Sequence, residues 1–174
     1  MPGRVCVDNR QTARLVLRKI ARDDRDFLVD LFSRQELVAH RPHPVPDAPE
    51  VIDAQLDRDI GHWERYRHGR WLLLCAEQKI GIGGLTVRPD VDGLNLSYHL
   101  HPRQWRQGFA SEFVAGALRV GFSDLGAERI VALIRPGNAP SQRVVENARF
   151  KFESVMDLDG APTQIFAISR HHQG

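Results

Sequence analysis

Three short apolar or alternating runs, Trp71 to Ala76, Lys79 to Val87 and Leu94 to Leu100, follow one another with only Gly, Asp and charged turn residues between them. Runs this short and this closely spaced satisfy their backbone groups most simply by pairing with each other, which predicts an antiparallel meander in the middle of the chain. A helix is expected from about Gly108 to Leu125, with Phe109, Phe113, Ala117 and Phe122 on one side, and then a strand over Arg129 to Ile134. A short helix over Pro140 to Ala148 and two strand-like runs, Phe152 to Leu158 and Gln164 to Ser169 around the turn Asp159-Gly160, complete the chain.

Upstream of the meander, Thr12 to Ile20 alternates Leu15 and Leu17 against Arg14 and Arg18 as a strand does. Two amphipathic helices follow, one carrying Phe27, Leu28, Leu31 and Phe32 after Asp23-Asp24, the other Ile52, Leu56, Ile60 and Trp63 after Pro49-Glu50. The repeated prolines from Ala39 to Pro49 exclude a helix there and predict an extended, exposed connector. The fold class expected from this order is α/β (α+β), a mixed and mostly antiparallel central sheet flanked by helices. With 174 residues, 42% of them apolar, the chain can bury one substantial core and is short for two. The expected organisation is a flexible N-terminus over residues 1–11, one domain over 12–170 and a tail over 171–174, both ends being polar and non-periodic.

A net charge of +2, with acids and bases interspersed, argues against a nucleic-acid partner. Cys6 and Cys75 have no metal-ligand spacing, so no metal is expected, and Cys75 lies in an apolar run that suits a buried thiol. No run reaches membrane-spanning length and the N-terminus lacks a long apolar stretch, so a soluble, cytoplasmic protein without a membrane partner is expected.

Chemistry concentrates in two segments. Leu100-His-Pro-Arg-Gln-Trp-Arg-Gln-Gly-Phe-Ala-Ser-Glu puts a strand end, a sharp turn and a helix start in direct succession. Free N–H groups and the positive end of the helix dipole suit a phosphate there, and Gly108 and Ala110 let it approach the backbone; an ordinary loop-to-helix junction reads the same way. In the second segment, Arg135-Pro-Gly-Asn-Ala-Pro-Ser-Gln-Arg-Val-Val-Glu-Asn-Ala-Arg-Phe, the residues Asn138, Ser141 and Val145 fall on one helix face. Asn138 is also a competent N-cap with Pro140 in the first turn.

Together these segments resemble the GNAT acetyltransferases, in particular the branch containing the ribosomal-protein alpha-amino acetyltransferases. Trp105-Arg-Gln-Gly108-Phe-Ala110 is similar to that branch's phosphate turn, Ser111-Glu112-Phe113 to its Thr-Glu-Ala, and the second segment to its Asn-x-x-Ser motif, with Arg149 where a glycine usually precedes the phenylalanine. The resemblance implies an acetyl-CoA-dependent N-acetyltransferase that moves acetyl directly to a primary amine, either a peptide N-terminus or a small molecule. It also implies that the backbone of Tyr98, His99 and Leu100 pairs with the pantetheine arm, that Arg106, Gln107, Gly108, Phe109, Ala110 and Ser111 hold the pyrophosphate, and that Asn138 bonds the pantetheine chain.

Where many relatives carry a tyrosine acid this chain has Val145, which leaves Ser141 as the candidate acid. The frequent carboxylate base is matched by Asn95, which cannot accept a proton at neutral pH, and His99, two residues along on the same strand face, is the substitute. His101, His40 and His43 are more distant candidates. Deprotonating an alkyl amine of pKa ~10.4 at pH 7 costs roughly 4 to 5 kcal/mol, against roughly 1 for an alpha-amine near ~7.8, so weak base equipment favours the alpha-amine. The acceptor is expected between the first two helices and the proline-rich connector. A non-catalytic acyl-CoA-binding or sensing module is the alternative, and a homodimer across an exposed strand edge is open to such a sheet.

Overall fold

The computed structural model describes residues 6–172. Eight strands form one sheet in the order β1-β2-β3-β4-β5-β6-β8-β7. They are β1 Asn9–Gln11, β2 Leu15–Lys19, β3 Arg70–Cys75, β4 Gln78–Val87, β5 Leu94–Leu100, β6 Arg129–Ile134, β7 Lys151–Leu158 and β8 Ala161–Ser169. Every neighbouring pair is antiparallel except β5 with β6, which are parallel. The meander is β3-β4-β5, and the mixed, mostly antiparallel sheet expected from the sequence is present.

Helices cover both faces. Helices α1 (Arg25–Phe32), α2 (Gln35–Val38) and α3 (Pro49–Tyr66) precede the meander, while α4 (Phe109–Arg119) follows β5 and α5 (Ala139–Asn147) follows β6. Burial follows the helical period: Leu28, Leu31 and Phe32 on α1, and Ile52, Leu56, Asp59 and Trp63 on α3. Pro49 opens α3 at its first turn, and Arg67, in the left-handed region at φ 64°, closes it. On the opposite face Phe113 of α4 packs edge-on against Tyr98 of β5 at 6.0 Å. Gly83 permits this contact, because a Cβ there would lie 2.7 Å from the Phe113 ring.

Four details differ from the sequence reading. Residues 1–5 and 173–174 lie outside the described residues, but the rest of the segment expected to be flexible is ordered: Val7 is fully buried, its carbonyl accepts from the Trp71 indole at 2.8 Å, and Asn9–Gln11 pair with Val16–Arg18. Backbone pairing and one buried anchor hold a stretch whose side chains give no periodic signal. The strand expected from Thr12 starts only at Leu15, after a turn closed by the Thr12 N–H on the Leu15 carbonyl at 2.9 Å. The helix expected to run to Leu125 is α-helical to Arg119 and then widens into a π-turn over Val120–Asp124, closed by Leu125 N–H on Val120 O at 2.9 Å. At the tail, Arg170–His172 make a 3-10 turn. The connector is as expected, irregular and mostly exposed from residue 39 to 48, after the short helix α2. No helix among the described residues is long and apolar enough to cross a membrane.

Candidate active site

The parallel pair β5 and β6 separates partway along its length. Leu94, Asn95 and Leu96 pair with Ile130, Val131 and Ala132, and there the pairing ends, although β5 continues to Leu100 and β6 to Ile134. A V-shaped cleft of about 110 Å³ opens between them, with Leu96 to His99, Ala132 to Arg135, His40, Asn138, Ser141 and Val145 in its walls.

The register against β4 determines which backbone groups face this gap. His101 N–H bonds the Ile80 carbonyl at 2.8 Å, and alternation then directs the N–H and C=O of His99 and Ser97 to β4, and those of Tyr98 and Leu100 to the β6 side. The Leu100 carbonyl is taken by the Trp105 indole N–H at 2.9 Å. Tyr98 keeps an N–H and a C=O with no strand opposite them, the pairing that an extended amide chain lying in the cleft can supply.

The turn after β5 is shaped to leave helix donors free. His101 Nδ1 accepts from the Arg103 N–H at 3.2 Å, and Arg106 and Gly108 take left-handed φ values of 60° and 80°. Gly108 is the N-cap of α4, with no side-chain cap, so the N–H groups of the first turn point outward. Glu112 supports the turn from behind: it accepts from Thr12 Oγ1 and from the backbone and Nε of Arg14, while Arg14 Nη1 donates to the Gln107 carbonyl at 2.9 Å. These donors hold the Glu112 carboxyl below its usual range against the opposing effect of burial, so the brace is charged at neutral pH.

On the α5 side, Asn138 Oδ1 accepts from the Ser141 N–H at 3.4 Å, the N-cap its sequence position suggested. Ser141 accepts a hydrogen bond from the Tyr98 hydroxyl at 3.3 Å. Burial raises the Tyr98 pKa, so the phenol stays protonated and donates, which leaves the Ser141 proton free to point elsewhere. Val145 is buried one turn further along the same wall. Tyr98 shares its face of β5 with Leu94 and Leu96, and its hydroxyl is a part of the site that the sequence reading did not include; the one polar tip among those apolar side chains was the available signal.

His99 lies on the other face, edge-on to Phe32 at 5.1 Å. Its ring is half-buried overall, but Nδ1 is sealed from solvent and has no hydrogen-bond partner. Burial first, then the positive charge of Arg70, Arg41 and His40, pushes its pKa down to about 3. An imidazole that weakly basic is a poor proton acceptor for an ammonium, which removes the main reason for assigning it as a general base. Asn95, on the same face of β5, is buried with Oδ1 unpaired and reaches Thr86 Oγ1 through its amide nitrogen at 3.4 Å. His101 lies 3.4 Å from Asp30, and His43 is exposed on the connector. His40 alone among the more distant histidines reaches the cleft.

The acetyltransferase (GNAT) domain family matches residues 14–151. The uncharacterized N-acetyltransferase YoaA of Bacillus subtilis is 27% identical over 167 residues, covering 91% of this chain and 94% of that protein. In fold, the chain is similar to an acetyltransferase from Agrobacterium tumefaciens, with TM-score 0.81, 19% identity, and 95% and 96% of the two chains covered. It is also similar to Mycobacterium smegmatis RimJ in complex with CoA-disulfide, with TM-score 0.77, 18% identity, and 91% and 83% covered.

Proposed function

The chain belongs to the GNAT acetyltransferase family, and from that premise we propose that it carries the acetyl group of acetyl-CoA directly to the alpha-amino group of a peptide or a small amine bound on the α1–α3 side of the cleft. The observation that carries this reading is the separation of β5 from β6 between the N-termini of α4 and α5. A groove with an unpaired strand backbone along its length and free helix donors at its mouth suits a ligand with an amide-bearing arm and a pyrophosphate.

When bound, acetyl-CoA supplies an activated thioester carbonyl. The residues of the chain then have distinct parts. The first-turn N–H groups of α4, with Arg106, Gln107, Gly108, Phe109, Ala110 and Ser111 around them, hold the pyrophosphate, and Glu112 and Arg14 keep the turn in shape. The free N–H of Tyr98 pairs with the arm or polarises the carbonyl, and Asn138 Nδ2 bonds the arm, its Oδ1 being committed to the cap. Ser141 donates to the departing sulfur. The Tyr98 phenol polarises that hydroxyl, so negative charge on the departing sulfur is stabilised without full transfer of the serine proton, and the proton that the attacking amine loses as the amide forms passes through water to the thiolate.

Among the described residues no carboxylate lines the cleft, and His99 is held neutral, so the acceptor must arrive largely as the free amine. That favours an alpha-amine near pKa ~7.8 over an alkyl amine near ~10.4, a difference of roughly 3 to 4 kcal/mol at neutral pH. Initial rates on a peptide with a free N-terminus are expected to exceed those on the same peptide blocked there and carrying lysine. Faster turnover of the blocked peptide would contradict the reading.

A further inference from the structure

The acceptor wall of the cleft carries positive charge that the protein does not neutralise. Ile130 of β6 reaches toward Gly121 beyond α4, and alternation along the strand puts Arg135 on the opposite side of the sheet, the side of His99 and Phe32. The Arg135 Nη1 donates to the Leu158 carbonyl at 2.9 Å, the Ala161 carbonyl at 3.2 Å and the Thr163 hydroxyl at 2.7 Å. None of these is a carboxylate, so the guanidinium is fixed in place but keeps its charge, and its Nε and Nη2 donors have no partner among the described residues. The two neighbouring arginines differ: Arg41 is paired with Asp47 at 2.8 Å and Arg70 with Asp59 at 2.9 Å.

His40 and His99 line the cleft with Arg135. His40 is held below its ordinary range by burial and then by Arg41 and Arg135, in the same way that His99 responds to burial and to Arg70 and Arg41. Filling the cleft with a neutral or basic acceptor would strip water from Arg135 and supply no counter-charge, an arrangement that costs binding energy. We propose that the acceptor carries a carboxylate close to its amine and that Arg135, with His40 beside it, holds that carboxylate and selects acidic acceptors over basic ones. This inference rests on the acetyl-transfer reading above.

The test uses the whole protein with acetyl-CoA and C-amidated peptides Ala-Asp-Gly, Ala-Gly-Gly and Ala-Lys-Gly, together with free alanine and alaninamide. Wild-type kcat/KM is expected to be about thirty-fold higher for the carboxylate-bearing member of at least one pair, Ala-Asp-Gly over Ala-Lys-Gly or alanine over alaninamide. The pair that shows it tells whether the carboxylate is a side chain or the amino acid's own. Arg135→Gln should bring that ratio to within about three-fold, and Arg135→Lys should keep part of it. Should Arg135→Gln not fold, the wild-type preference and its weakening at roughly 0.5 M salt carry the test by themselves. Equal rates within both pairs, or a faster basic peptide, would overturn the inference while leaving acetyl transfer intact; no turnover of any amine would overturn both.

Discussion

The cleft has two walls made in different ways. The wall toward α4 and α5 is local: the turn around Gly108, the cap at Asn138 and Ser141 three residues beyond it each belong to one short stretch of chain. The wall toward α1 and α3 is assembled from afar, with the uncharged imidazoles of His40 from the connector and His99 from β5 beside the charged guanidinium of Arg135 at the end of β6. On the proposed reading, the difference teaches that backbone geometry suited to the donor is encoded in contiguous motifs, whereas the electrostatics that would choose an acceptor arise only when distant segments meet.

The largest effect tests how the acceptor wall tolerates its charges. Arg70 and Asp59 are both largely buried, and Asp59→Asn would leave a guanidinium without its counter-charge beside His99. A loss of about 3 to 5 kcal/mol is expected, measured by thermal or denaturant unfolding. A loss below about 1 kcal/mol would mean that this wall is wetter than its geometry implies. On the wall toward α5 the expected effect falls on chemistry. Ser141→Ala should lower kcat about 100-fold with little change in KM for acetyl-CoA, and Tyr98→Phe should lower it about ten-fold. Equal kcat in the serine variant would show that solvent alone handles the leaving thiolate.

A smaller effect separates the walls by pH. His99 has an ordinary pKa of 6.5 when unfolded and about 3 when folded, so between those values the unfolded chain binds the extra proton. Stability is therefore expected to be full above about pH 7 and to fall as pH drops through that window. His99→Gln should reduce that slope while keeping most of the activity, the remainder of the slope coming from His40, His62 and His68, which burial also holds below their ordinary range. A rate that depends on an ionisation lost in His99→Gln would restore the base role that the structure argues against. The smallest effect lies at the end of α5, where Arg149 occupies the left-handed region at φ 72°. There the Phe150 N–H bonds the Val145 carbonyl and the Arg149 N–H bonds the Glu146 carbonyl. Arg149→Gly should raise stability by about 0.5 to 1 kcal/mol, read as a shift in melting temperature.

Much of the fold was legible because alternation and turn residues mark β3, β4, β5, β6 and β8 and the helical spacing marks α1, α3 and α4. The strand β1 was not, since Asn9-Arg10-Gln11 pair through their backbone and their side chains carry no pattern. The π-turn at Val120–Asp124 was hidden because Phe122 stays buried whether the turn is α or π. In the site, the turn around Gly108 could be read from five or six consecutive residues. The separation of β5 from β6 could not, because it depends on where pairing stops. His99 titrates as it does because of Arg70, Arg41 and His40, all distant in sequence, so its weak basicity was invisible until the chain was folded.

The most direct test of the donor site, on which the rest depends, is a calorimetric titration of the protein with acetyl-CoA, repeated on Gly108→Asp. The variant puts a carboxylate against the pyrophosphate at a position where a Cβ already meets Arg14 Nη2 at 3.3 Å, so its melting temperature is measured alongside. Saturable one-to-one binding that weakens at least about ten-fold in a folded Gly108→Asp is the expected result. Absence of heat with the wild-type chain, or equal affinity in the variant, would contradict a pyrophosphate held at the start of α4.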